Sequence, residues 1–142
     1  MTDATCMLDS SVYVAAIRGR NPAALERLTD GMAVRISAVV LQELYAGTAA
    51  SSREVVEDLE YSFAEEDNVL VPDLSDWIGA GKILASIAAK YGYEKIGRSR
   101  LTNDALIAAS ASRAGIRVLT TNGRDFARLA EFCNLNWQLV AL

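Results

Sequence analysis

The chain has 142 residues, 51% of them hydrophobic and 23% charged, a balance typical of one soluble globular domain spanning residues 1–142. It contains no histidine, which excludes Ser-His-Asp and Cys-His triads and histidine-ligated zinc. The sequence has neither an apolar run of about 20 residues nor a basic leader before an apolar run, so we expect a cytoplasmic protein without a membrane span. The two cysteines match no zinc spacing, and Cys6 is expected to be a free buried thiol.

The net charge of −4 argues on average against nucleic-acid binding, but the charges are unevenly distributed. Residues 51–76 carry one basic and nine acidic side chains, whereas residues 77–142 carry nine basic and four acidic ones. This separation is compatible with one polyanion-facing surface, and equally with two solvated faces that bind no partner.

Short apolar runs alternate with helical patterns along the whole chain. In chain order the predicted elements are a strand over 5–8, helices over 11–17 and 22–30, a strand over 33–36, helices over 38–47 and 51–65, a strand over 69–71, helices over 75–91 and 102–114, a strand over 118–120, a helix over 125–130 and a strand over 137–140. This alternation predicts parallel β-α-β units, and so a three-layer α/β/α domain with a central, mostly parallel five-stranded sheet.

Three of the predicted helices have recognisable starts. Asn21 precedes Pro22, a capping residue followed by proline at the first helical position. Ser37 is the expected cap of the 38–47 helix. Ser51 and Glu54 form a capping-box pattern for the 51–65 helix.

Three aspartates follow predicted strands or begin a predicted helix. Asp9 comes directly after the first strand, and Asp125 follows the fourth after a short turn. Asp104 is expected in the first turn of the helix that Thr102 opens. The functional crevice of such a sheet lies at the carboxyl ends of its strands. We therefore expect these acids to converge on one edge.

Glu43 lies about a turn and a half into its predicted helix. Its neighbours at spacings of three and four are Val39, Val40, Ala46 and Gly47, all small or apolar. A carboxylate on an inward-facing stripe is costly unless a cation or hydrogen-bond donors accompany it. This position therefore indicates a buried site that holds charge.

Taken singly, each acid has a simpler explanation. Asp9, Asp104 and Asp125 can cap helices, and Glu43 can reach solvent along its own side chain. Together at one edge, four carboxylates repel one another unless they are protonated or neutralised. Mg²⁺ or Mn²⁺ is the natural neutraliser, and a carboxylate-held cation suits phosphodiester cleavage without histidine.

Arginines in the second half can assist the approach of a polyanion, with Arg98, Arg100 and Arg124 as candidates. As single residues they fit an ordinary charged surface equally well.

Four segments in order resemble the motifs of PIN-domain proteins. Residues 8–12 (LDSSV) resemble the opening L-D-T/S-N/S-V, and residues 37–47 (SAVVLQELYAG) resemble the second motif around its glutamate. Residues 103–109 (NDALIAA) resemble the third motif, and residues 120–126 (TTNGRDF) the closing T-x-N-x-x-D-F. Within that superfamily a single domain of this size is similar to VapC-type toxins of bacterial and archaeal toxin–antitoxin pairs.

The resemblance implies a Mg²⁺- or Mn²⁺-dependent endoribonuclease acting on tRNA, rRNA or mRNA. It also implies a homodimer, and a cognate antitoxin whose tail enters the active-site groove. Carried onto this sequence, Asp9 and Asp104 are the strongest metal ligands, Glu43 ligates or orients, and Asp125 completes the site.

The resemblance also assigns supporting polar roles. Thr120 and Asn122 match positions that support the acids through hydrogen bonds. Ser11 stands where many relatives carry asparagine, which leaves its own role open. A hydroxyl can still donate to a carboxylate.

Two other functions compete with this interpretation. One is a non-catalytic RNA- or protein-binding module with the same fold. The other is a metal-dependent phosphohydrolase acting on DNA or a phosphomonoester, although the D-x-D pattern of aspartyl-phosphate phosphatases is absent at residues 9–11. The apolar faces around Val12, Val14 and Ile17 and around Leu41, Leu44 and Tyr45 are each compatible with core or with a dimer surface.

Overall fold

The computed structural model describes residues 4–92 and 100–142, and the backbone but not the side chain of Arg100. Arg98 lies outside the described residues. The helices and strands are β1 (Thr5–Leu8), α1 (Ser10–Gly19), α2 (Pro22–Leu28), β2 (Ala33–Ser37), α3 (Ala38–Gly47), α4 (Arg53–Glu65), β3 (Val69–Leu70), α5 (Leu74–Tyr91), α6 (Arg100–Ala114), β4 (Arg117–Thr120), α7 (Gly123–Leu129) and β5 (Trp137–Leu139).

The five strands form one sheet in the order β3-β2-β1-β4-β5. Every pairing between neighbouring strands is parallel, which confirms the predicted five-stranded sheet. Cys6 of β1 lies opposite Val34 of β2 on one side and Arg117 of β4 on the other. No helix of the described part of the chain is long and apolar enough to cross a membrane.

The strand order reverses beside β1. The chain moves outward from β1 through β2 to β3, then returns to β4 on the opposite side of β1. Right-handed parallel connections in the two directions place their helices on opposite faces of the sheet, which gives the three layers. The gap between β1 and β4 at their carboxyl ends is the switch point, where sheets of this kind bind ligands.

The core fills the space between the sheet and its helices. Its largest fully buried side chains are Tyr13, Phe126, Met7, Ile36, Leu44, Ile87, Ile107, Leu119, Leu129, Val12, Val40 and Val56. Each such apolar side chain contributes about 1.5–3 kcal/mol on transfer from water. Val12 and Leu44, whose faces were compatible with core or dimer surface, are core residues, and the Cys6 thiol is free and buried as predicted.

A partly buried ion pair joins α5 to α6. Asp76, in the first turn of α5, is 2% exposed. It accepts hydrogen bonds of 2.8 and 3.0 Å from Nε of Arg113 and of 2.8 Å from its Nη2. Because Arg113 lies in the last turn of α6, the two helices run antiparallel. This contact fixes α6, the helix that carries Asp104.

The predicted start of the 51–65 helix differs from the structure. Residues 50–52 form a 3-10 turn, α4 begins at Arg53, and no side chain caps it. The capping box predicted at Ser51 and Glu54 is therefore wrong, because the turn takes the place of the extended cap residue that the motif requires. A capping box does form at the start of α5, between Asp73 and Asp76.

The other predicted boundaries differ by smaller amounts. Ser37 caps α3 through a 3.1 Å bond from the amide of Val39, as predicted. The side chain of Asn21 makes no capping bond to α2. The helix that carries Asp104 begins at Arg100, which places this acid in the second turn rather than the first. It ends at Ala114, where Gly115 adopts a positive φ of 69° that favours glycine.

Candidate active site

Asp9 lies at the carboxyl end of β1 and caps α1. Its backbone is extended, and its amide donates a 2.9 Å bond to the carbonyl of Leu119 in β4, so the residue is held between the two central strands. Its Oδ1 accepts a 2.8 Å bond from the amide of Ser10. The residue is only 3% exposed, and this burial gives its carboxylate a fixed direction at the switch point.

Two hydroxyl groups converge on the other oxygen of Asp9. The hydroxyls of Ser11 and Thr120 each donate a 2.9 Å bond to Oδ2. Each hydroxyl in turn accepts a backbone amide from the β4–α7 connection. Thr121 donates to Ser11 over 3.2 Å and Asn122 donates to Thr120 over 2.9 Å. The connection and the carboxylate are thereby held together.

Glu43 and Asp104 reach the same point from two helices. Glu43 lies in the second turn of α3 and is half-buried, whereas Asp104 on α6 is 3% exposed. One carboxylate oxygen from each, together with one from Asp9, lies within 4.8 Å of the others. The structure therefore brings together three of the four predicted acids.

Asp125 lies outside this group of three. It is in the first turn of α7, beyond β4 as predicted, and its Oδ2 accepts a 2.9 Å bond from Nδ2 of Asn122. Because Asn122 also donates its backbone amide to Thr120, the fourth acid is connected to Asp9 through the β4–α7 connection.

The three oxygens suit a hard divalent cation. Mg²⁺ binds oxygen at about 2.1 Å, so ligands on opposite sides of one ion are about 4.2 Å apart. The separations within the group, up to 4.8 Å, are close to that span. An all-carboxylate donor set favours Mg²⁺ or Mn²⁺ over softer metals. Asp9, Glu43 and Asp104 are therefore the residues that can hold a cation.

Thiolate chemistry is not favoured in this fold. Burial raises the pKa of the Cys6 thiol and of the Cys133 thiol above the ordinary value, so both stay protonated near neutral pH. Of the arginines considered above, Arg124 is exposed beside Asp125 in the first turn of α7. The side chains of Arg98 and Arg100 are not described.

Sequence reasoning missed the full role of Ser11 and the Asp76–Arg113 pair. A hydroxyl two residues after a helix-capping aspartate is a signal for the bond to Asp9, since such short-range bonds are common at helix starts. The bond from Thr121 to Ser11 spans 110 residues and has no local signal. The same holds for the Asp76–Arg113 pair, 37 residues apart.

Comparison with known proteins agrees with this architecture. A chain of the DNA-bound VapBC complex from Salmonella typhimurium is 25% identical, with a TM-score of 0.68 over 96% of this chain and 98% of that one. VapBC2 from Rickettsia felis, bound to a promoter DNA fragment, gives 22% identity and a TM-score of 0.68 over 96% and 99%. VapBC-5 from Mycobacterium tuberculosis, a member of a family of toxin–antitoxin systems, gives 24% and 0.59 over 96% and 99%.

Comparison with curated protein sequences finds no match. The family model described as the PIN domain matches residues 6–132. That span includes all four acids, strands β2, β3 and β4, and β1 except its first residue. Strand β5, residues 137–139 at the sheet edge, lies beyond it. The chain therefore belongs to the PIN domain family.

Proposed function

We propose that this protein is a metal-dependent endoribonuclease and the toxin component of a toxin–antitoxin pair. The observation that carries the proposal is the group formed by Asp9, Glu43 and Asp104, with oxygens within 4.8 Å of one another at the switch point of the sheet. Membership of the PIN domain family and likeness to chains of toxin–antitoxin complexes support it.

The position and burial of each acid indicate its proposed role. Asp9 and Asp104, both 3% exposed, are the fixed ligands for Mg²⁺ or Mn²⁺. Half-buried Glu43 ligates the same cation or orients a water. A cation bound there supplies an activated water and neutralises charge on the phosphate and the leaving oxygen. Asp125, held by Asn122, completes the site at its flank, where its carboxylate can position or take a proton from the attacking water.

The proposed source of positive charge for binding the substrate is Arg124, in the first turn of α7 after β4. Among the described residues it makes no ion pair, and it is exposed next to Asp125. An unpaired guanidinium beside an acidic centre can contact the phosphates that flank the scissile bond. RNA in the form of tRNA, rRNA or mRNA is the proposed substrate class.

The proposed protein partner is a cognate antitoxin, because several matched structures are VapBC complexes and one is described as belonging to a family of toxin–antitoxin systems. A homodimer is part of the same proposal and rests on the resemblance to VapC-type toxins. A cytoplasmic location is proposed with it, as the sequence led us to expect. In this proposal the tail of the antitoxin enters the active site formed by Asp9, Glu43 and Asp104, and so excludes the substrate.

A substrate panel tests the reaction class. The purified full chain is incubated in Mn²⁺ with an RNA pool, single-stranded DNA and a chromogenic phosphomonoester. We expect cleavage of RNA alone. Hydrolysis of the monoester or of DNA in preference to RNA contradicts the proposal. A tight RNA complex with no turnover instead supports a binding module with the same fold.

Growth arrest on expression provides the cellular test. Asp9→Asn and Asp104→Asn should each abolish both cleavage and growth arrest, because each replaces a ligand by a neutral amide. Asp58→Asn, at an exposed position on α4, is the matched control and should remain toxic. Full toxicity in both site variants defeats the proposal.

A further inference from the structure

Asp9 distributes its hydrogen bonds unevenly between its two oxygens. Among the described residues, Oδ2 accepts two donors, the hydroxyls of Ser11 and Thr120, each at 2.9 Å. Oδ1 accepts one donor, the amide of Ser10 at 2.8 Å. A carboxylate offers about four lone-pair sites, two on each oxygen. Oδ2 therefore has both of its sites filled, and Oδ1 has one left.

We propose that Ser11 and Thr120 are positioning residues that restrict Asp9 to binding a cation through one oxygen, and thereby make the site prefer Mg²⁺ over Ca²⁺. This inference rests on the proposed function, since it concerns the same cation site. It assigns to the hydroxyl pair a role in choosing the ion, beyond support of the carboxylate.

The hydroxyls are held in the donating orientation. A hydroxyl that accepts a backbone amide directs its own hydrogen elsewhere, and here the nearby acceptor is Oδ2. The amides of Thr121 and Asn122 fill that role for Ser11 and Thr120 respectively. Thr120 is also fully buried, so water does not compete for its hydrogen. Both hydroxyls therefore occupy Oδ2 persistently.

The β4–α7 connection that supplies these amides is itself anchored. The carbonyl of Thr120 accepts a 2.9 Å bond from the amide of Val140, next to β5. At the start of α7, Gly123 lies close to the side chain of Leu139 in β5. A Cβ added at Gly123 would be only 3.1 Å from Cδ1 of Leu139. Strand β5 therefore limits the movement of the connection away from Asp9. Releasing Oδ2 requires loss of a hydroxyl rather than a small shift of the loop.

The number of oxygens that Asp9 offers affects the two ions differently. Mg²⁺ requires near-octahedral ligands at 2.0–2.1 Å, whereas Ca²⁺ takes 6–8 oxygens at 2.3–2.6 Å and readily accepts both oxygens of one carboxylate. An Asp9 with a single available oxygen fits the first geometry. Removing either hydroxyl frees a lone pair on Oδ2 and makes two-oxygen binding possible.

Calorimetric titration of the full chain with Mg²⁺ and separately with Ca²⁺ tests the inference. The variants are Ser11→Ala and Thr120→Val, each of which removes one hydroxyl. Substitutions of groups that orient metal ligands typically cost about 10–100-fold in affinity. We expect Mg²⁺ binding to weaken about tenfold while Ca²⁺ binding is kept, so the ratio of the two dissociation constants shifts about tenfold, or about 1.4 kcal/mol.

Two further variants separate ion choice from general damage. Ser110→Ala removes a buried hydroxyl that bonds only backbone carbonyls within α6, at 2.8 and 3.1 Å, and should leave the ratio unchanged. Thr120→Ser keeps the hydroxyl and should retain the Mg²⁺ preference. Far-UV circular dichroism confirms folding of each variant, and Ser11→Ala, at a partly exposed position, provides a second route if Thr120→Val does not fold.

The outcomes are distinct. If the wild-type chain binds Mg²⁺ and the folded variants keep the same ratio of Mg²⁺ to Ca²⁺ dissociation constants, the inference is overturned and the proposed function still stands. Equal weakening of both ions also overturns it, since the hydroxyls then only support the carboxylate. A wild-type chain that binds neither ion, nor Mn²⁺, overturns both the inference and the proposed function.

Discussion

Replacing Arg113 by methionine removes the cation that faces the buried carboxylate of Asp76. The guanidinium donates three hydrogen bonds of 2.8–3.0 Å to that carboxylate, and Asp76 is 2% exposed. Without Arg113, the buried carboxylate of Asp76 has one hydrogen-bond donor left among the described residues, the amide of Asp73 at 3.0 Å. Methionine keeps most of the side-chain length, so the substitution removes chiefly charge and hydrogen bonds.

The size of the expected loss in stability follows from the partial burial of the Asp76–Arg113 pair. Removing one partner of a fully buried ion pair costs about 3–5 kcal/mol. Here the side chain of Arg113 is 41% exposed, so water already screens one side of the pair and can enter when the guanidinium is gone. We therefore expect the free energy of unfolding to fall by about 2–3 kcal/mol, which lies between the values for exposed and buried pairs.

Urea unfolding followed by far-UV circular dichroism measures this loss as a lower midpoint with an unchanged slope. Lys82→Met is the matched control. Lys82 is an exposed cation on α5, the helix that carries Asp76, with no ion pair among the described residues, and its substitution should change stability by less than about 0.5 kcal/mol. A stability of Arg113→Met within 0.5 kcal/mol of the wild type refutes the reasoning.

Three other predictions concern the helix caps, pH and metal. Asp73→Ala removes the cap of α5, bonded to the amide of Asp76 at 3.0 Å, and should cost about 1 kcal/mol in urea unfolding; no change contradicts the capping assignment. The pKa of Glu131 lies below its ordinary value of 4.5 because Lys90 and Tyr91 donate to it. Its contribution is therefore complete above pH 4.5 and is lost progressively as pH falls below it, so the difference in melting temperature between wild type and Glu131→Gln should be largest at pH 7 and shrink as the pH is lowered below 4.5. Mn²⁺ at a hundredfold excess over its dissociation constant should stabilise the chain by about 2.7 kcal/mol, and EDTA should reverse this; an equal gain in Asp104→Asn would place the ion elsewhere.

The sheet was predictable because its strands are short apolar runs with polar ends. Residues 5–8 form β1 as predicted, and the carboxyl-edge rule placed Asp9 and Asp125 beyond their strands correctly. Glu43 was identified by its apolar helical neighbours, which is a local property. Periodicity and the carboxyl-edge rule therefore point to the three acids that the structure brings together, Asp9, Glu43 and Asp104.

What the sequence did not predict depends on contacts between distant segments. The position of Asp125 after β4 does not by itself show that its carboxylate lies outside the group of three acids. The bond from Asn122 that holds this carboxylate depends on the conformation of the turn after β4. The start of α4 was mispredicted for a related reason. Ser51 and Glu54 have the spacing of a capping box, but a 3-10 turn occupies residues 50–52. A residue pattern specifies a cap only where the backbone enters the helix in an extended conformation.

The most direct test of a carboxylate-held metal at this site is cleavage of an RNA pool by the purified chain in Mn²⁺, Mg²⁺ or EDTA, beside Asp104→Asn and its exposed control Asp58→Asn. Asp104 is the buried ligand contributed by α6, so its amide variant should lose cleavage while keeping the fold. Wild type and Asp58→Asn should cut the RNA in Mn²⁺ or Mg²⁺, with no cutting in EDTA and none by Asp104→Asn. Cutting that persists in EDTA, or in folded Asp104→Asn at the wild-type rate, contradicts a carboxylate-held metal as the centre of the reaction.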